Sequence, residues 1–70
     1  MEGLIKDIIK KFDINIPYNT IYEGYVEELE HINGRFALNL SNRDIVYIAL
    51  THLDHDPMYY YKLKKYVEKN

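Results

Sequence analysis

The sequence predicts an all-α protein, a small compact bundle of three to four helices with a loop at about 33–41. Three observations lead there. Apolar residues recur at helical spacing through most of the chain. Helix stop and start signals, Asn33-Gly34, Ser41-x-x-Asp44 and Asp56-Pro57, fall between the periodic segments. Ile14 and Ile16 alternate only briefly before Pro17, and the longer alternation of Phe36, Leu38 and Leu40 would make a lone strand with nothing to pair with. At 70 residues the chain holds one domain, 1–70.

The first helix covers EGLIKDIIKKF, with Leu4, Ile5, Ile8, Ile9 and Phe12 on one face and Lys6, Asp7, Lys10 and Lys11 mostly on the other. The stretch DINIP breaks that period and reads as a short extended link, because Ile16 precedes Pro17 and is pushed away from helical geometry. A second helix starts near Pro17 or Asn19 and runs to about Ile32, with Ile21, Tyr25, Leu29 and Ile32 as its apolar face. Gly34 suits the left-handed residue that ends it. Residues 35–40 are expected to form a loop whose apolar side chains plug the core. Ser41 caps a third helix, close to a capping box with Asp44, whose inward face is Ile45, Ile48, Ala49, His52 and Leu53. Leu53 is expected to end it. Asp56 then caps a fourth helix with Pro57 at its first position, and Tyr59, Tyr60, Leu63, Tyr66 and Val67 form its apolar side.

Composition removes several function classes. The chain has no cysteine, so disulfides and thiolate metal sites are excluded. Net charge is −2 and neither half is a basic patch, so non-specific nucleic-acid binding by counterion release is not expected. No long apolar run and no leader-like start is present, which reads as a soluble cytoplasmic protein without a membrane partner. Eight tyrosines with no tryptophan are too many polar-tipped rings for the interior of so small a domain. Several must line a surface, a groove or an interface.

Two helical pairs carry the most chemistry. Glu28 and His31 stand three apart on the second helix. His52 and His55 stand three apart at the end of the third, with His55 expected just beyond the helix end. If the two faces meet, three nitrogens and one carboxylate form a ligand set suited to zinc, iron or nickel. The structural alternative has His31 bonding the last carbonyls of its helix and His52 half-buried and bonded to Glu28. A carboxylate beside a histidine also suits acid/base chemistry. However, Ser41 is the only serine and is assigned to a cap, and no phosphate loop or second carboxylate pair accompanies it. No enzymatic activity and no cofactor are therefore expected, a divalent transition metal being the one exception considered.

Tyr59, Tyr60 and Tyr61 are consecutive, and consecutive helical positions point about 100° apart. At least one ring must leave the core, and Tyr61 is expected outward with Tyr22 or Tyr18 beside it. Near Lys62, Lys65 or Arg43, such rings could stack on a nucleotide-like ligand. They equally suit a protein interface or a core edge.

The order Glu28-Leu29-Glu30-His31, then Ile48-Ala49-Leu50-Thr51-His52-Leu53, then Pro57-Met58-Tyr59-Tyr60 and Lys62-Leu63 resembles a small helical domain family of unknown function. Its members occur in phage, bacterial and large-virus sequences, and the likeness spans roughly residues 12–66. Two positions depart from it, since the family often carries an acidic residue where His55 and Met58 stand. The resemblance implies a fold and a phage or viral setting in the host cytoplasm, and directs attention to Glu28, His31, His52, Tyr59 and Tyr60. The resulting expectation is a non-catalytic accessory protein whose tyrosine-rich face binds another protein or its own copy. Countering host defence, by binding a defence protein or sequestering a nucleotide-like signal, would be one use. The alternative is a metal-binding helical domain.

Overall fold

In a computed structural model, the backbone is described for residues 1–32 and 40–68, and side chains for 1–31, 40–63 and 65. Four helices follow in order: α1 (Glu2–Phe12), α2 (Tyr18–Ile32), α3 (Asn42–His55) and α4 (Tyr59–Glu68). The described residues contain no strand. No described helix is long and apolar enough to cross a membrane.

α1 buries Ile5 and Ile8, with Leu4 and Ile9 half-buried beside them. Its exposed face carries the Glu2–Lys6 pair at 2.7 Å, one turn apart. Asp13 ends the helix in the left-handed region, φ 51° and ψ 52°, which aspartate tolerates better than most side chains. The backbone N–H groups of Asp13 and Ile14 both donate to the Ile9 carbonyl, closing the helix end. That sharp exit turns the link so that Ile14 and Ile16 pack against the core. Phe12 does not join the inward face as expected. It is exposed and meets Tyr47 of α3 edge-on, 6.1 Å between centroids, because the helix ends before its ring reaches the core.

α2 packs chiefly on α3 and forms the centre of the bundle. Thr20 and Ile21 donate to the Pro17 carbonyl, so the helix starts directly after the proline. Its buried stripe is Ile21, Gly24, Tyr25 and Glu28. This corrects the expected Ile21–Tyr25–Leu29 face: Leu29 is exposed, and the inward position belongs to Glu28. Tyr25 ties α2 to α3 by donating to Asn42 Oδ1 at 3.0 Å.

The capping box on α3 is complete. Asp44 N–H donates to Ser41 Oγ, and Ser41 N–H donates to Asp44 Oδ2, both at 3.1 Å. α3 buries Ile45, Val46, Ala49 and Leu53, with Val46 taking the place expected for Ile48, which is half-buried. The helix runs to His55, two residues past the expected end. Asp56 and Pro57 do not take the expected N-cap and first positions of α4, which starts at Tyr59: Asp56 instead caps the end of α3 and closes the intervening turn, its side chain accepting Met58 N–H at 2.9 Å and its carbonyl accepting Tyr59 N–H. The other carboxylate oxygen of Asp56 takes Lys62 Nζ at 2.9 Å, and its backbone N–H donates to His52. One residue thus ends α3 and steers α4. Lys62 and the Met58 N–H hold the Asp56 carboxyl below its usual range.

Residues 33–39 of the loop expected at about 33–41, and the apolar roles given to the side chains of Ile32, Phe36, Leu38, Tyr66 and Val67, lie outside what is described. Leu40, expected to plug the core, is exposed at the start of the α3 cap.

Gly24 sets how closely α4 approaches α2. A Cβ there would lie 2.7 Å from Tyr60 Cε2 and 3.2 Å from Ala49 Cβ. Gly24→Ala should therefore destabilise the fold by about 1–3 kcal/mol, although alanine is the better helix former by about 1 kcal/mol. Urea unfolding midpoints of the two proteins measure this, and a more stable alanine variant would contradict the packing.

Candidate functional site

α2, α3 and α4 meet around one buried polar cluster. Glu28 is 7% exposed, and a carboxylate that far inside requires donors. Tyr60, buried in α4, donates its hydroxyl to Glu28 Oε2 at 2.6 Å, the short distance of a charge-assisted bond. His52 Nε2 lies 3.5 Å from the same oxygen. The half-buried His52 ring stacks on Tyr59 at 4.3 Å and 3° between planes. Tyr59 and Tyr60 meet edge-on at 4.9 Å. Four expected residues, Glu28, His52, Tyr59 and Tyr60, therefore do converge.

The principal partner of Glu28 differs from expectation. It is Tyr60 rather than His52, because the phenol reaches the carboxylate directly across Gly24 while the imidazole stands at a distance too long for a strong hydrogen bond. No buried polar side-chain atom lacks a partner among the described residues. Burial, and then the bond to Glu28, push the Tyr60 phenol far above its ordinary range.

The four-ligand metal set does not assemble. His31 and His55 are exposed, and no three His, Asp or Glu side chains group to hold a metal among the described residues. His31 sits in the last turn of α2 and His55 at the last residue of α3, each outside the Glu28–His52 contact. Spacing of three placed each pair on its own helix. It could not set the rotation of the two helices about their axes.

Arg43 also stands apart from the α4 tyrosines. It donates to Tyr47 at 3.3 Å, one turn along α3. Tyr47 in turn lines a cavity of about 590 Å³ with Phe12, Ile14, Ile16 and Leu50, where the α1–α2 link crosses α3. The sequence reading missed this cavity. The unpaired Ile14/Ile16 alternation was its only signal.

The expected tyrosine face is a second, separate feature. Tyr61 is 60% exposed and Tyr22 is 41% exposed. Both line a groove of about 410 Å³ between α2 and α4, with Glu23, Val26, Glu27 and the edge of Tyr60. Along α2, Tyr18, Tyr22 and Tyr25 form a stack with centroids 6.0 and 6.3 Å apart. No protein-family model, curated protein or solved structure matches the chain.

Two outcomes follow from the buried cluster. Tyr60→Phe leaves Glu28 buried without its main donor and should cost about 1.5–3 kcal/mol. Adding Glu28→Leu should recover part of that loss, and the double-mutant cycle in urea measures the coupling. The raised Tyr60 value also fixes the sign of an alkaline effect. The neutral phenol stabilises the fold fully below the unfolded value of about 10, and that contribution is lost as pH rises above it. Tyrosine absorbance titration should show one phenol ionising only as helical ellipticity is lost, and Tyr60→Phe should abolish that late step.

Proposed function

We propose that this protein is a small non-catalytic binding module whose tyrosine-lined α2–α4 groove seats a partner protein. The observation that carries this reading is the pair Tyr22 and Tyr61, large rings left exposed on the two walls of one groove. Tyrosine supplies broad contact area with few rotatable bonds, so little entropy is lost on binding. The α2 stack holds Tyr22 in place before any partner arrives. The carboxylate–phenol–imidazole cluster acts in this reading as the internal brace of the groove, since Tyr60 belongs to both. A phage or viral accessory setting, with a host defence protein or a second copy of the chain as partner, suits the resemblance noted from the sequence.

The test is oligomeric mass together with partner capture from the natural host. Tyr61→Ala and Tyr22→Ala should each reduce complex formation about tenfold or more, as truncation of interface aromatics does. Helical content should stay at the parent level, because both rings are exposed. Variants that keep the parent mass and the parent set of captured proteins would reduce the aromatic face to packing.

A further inference from the structure

The α2–α4 groove combines aromatic rings with negative charge, and that combination specifies a chemistry. The inference rests on the binding role proposed above and deepens it. Glu23 and Glu27 stand one turn apart on the α2 wall, each next in sequence to a lining apolar residue, Tyr22 and Val26. Like charges at that spacing work against a helix, so local stability does not account for them. Among the described residues neither has an ion-pair partner. Across the groove, Tyr61 already attracts a cation from its own helix: Lys65 Nζ lies 5.9 Å from the ring centroid. A phosphate-bearing ligand would meet both carboxylates and be repelled, which disfavours a nucleotide here.

We propose that the groove takes an arginine side chain from a basic segment of the partner protein, the guanidinium lying against Tyr61 and Tyr22 while Glu23 and Glu27 accept its N–H groups. Arginine fits better than lysine for two reasons. Its planar cation stacks on aromatic faces, and its forked donors match carboxylates. The groove, at about 410 Å³, exceeds one guanidinium and leaves room for the residues flanking it.

The test titrates the full isotope-labelled chain with a short capped peptide of alternating glycine and arginine. A second titration uses the same peptide with citrulline, a neutral isostere, in place of arginine. Saturable amide and ring shifts centred on Tyr22, Val26 and Tyr61 are expected with arginine, weakening as salt rises. Citrulline should bind about tenfold more weakly or worse, and so should Glu23→Gln/Glu27→Gln with the arginine peptide. Tyr61→Phe should keep the affinity and Tyr61→Ala should lose it. Equal binding of the two peptides, an unaffected Gln/Gln variant, or no groove shifts with either peptide overturns the cation assignment. Partner capture that needs Tyr22 and Tyr61 but not Glu23 and Glu27 overturns this inference alone and leaves the binding role standing. Capture indifferent to the tyrosines removes both.

Discussion

The contact on which the rest of the molecule depends is the seating of Tyr60 on Gly24, with its hydroxyl on Glu28. A buried carboxylate is costly without donors, and a buried phenol is costly without an acceptor. Each satisfies the other only if α4 lies close enough to α2 for a bond across the helix axis. The missing Cβ at position 24 provides that approach. A glycine that weakens the isolated helix by about 1 kcal/mol is retained where tertiary packing needs the space. In a domain this small, which buries only about 60% of the surface its unfolded chain exposes, one such contact is a sizeable share of what fixes the fourth helix.

Turning Tyr60 inward decides the surface as well. Its neighbour lies about 100° round the helix, so Tyr61 must face solvent on the side toward α2. Tyr59 turns the other way and meets His52, where the two rings stack almost parallel. The triple tyrosine thus does three jobs: one ring stacks on the histidine, one bonds the carboxylate, and one lines the groove. On the groove wall opposite stands Tyr22, the middle ring of the Tyr18–Tyr22–Tyr25 stack, which the Tyr25–Asn42 bond ties to α3. Exposed rings thus stand on both sides of one open cleft.

The α3–α4 corner supplies the remaining constraint. Asp56 is engaged by its backbone and by both carboxylate oxygens, so α4 leaves the corner in one direction. That direction carries Tyr59 back over His52 and Tyr60 onto α2. The left-handed Asp13 does similar work at the other end, turning Ile14 and Ile16 against the edge of the core and leaving Phe12 outside to line the wider cavity with them and Tyr47.

The sequence by itself determined the all-α class, the four segments, the Ser41 box, the Asp56 turn, the outward Tyr61 and the meeting of Glu28 with His52. These depend on local chemistry or on periodicity strong enough to survive packing, such as Ile5/Ile8 and Ile45/Ala49/Leu53. Tertiary structure alone decided how each helix is rotated about its axis. Apolar periodicity set the α2 stripe through Leu29, but a phenol arriving over Gly24 made Glu28 the inward residue. The same rotation left His31 and His55 outside and dissolved the four-ligand set, because spacing along one helix carries no information about the azimuth of the next. Nothing in the sequence marks Gly24 for the same reason: its role exists only when another helix's ring is already in place.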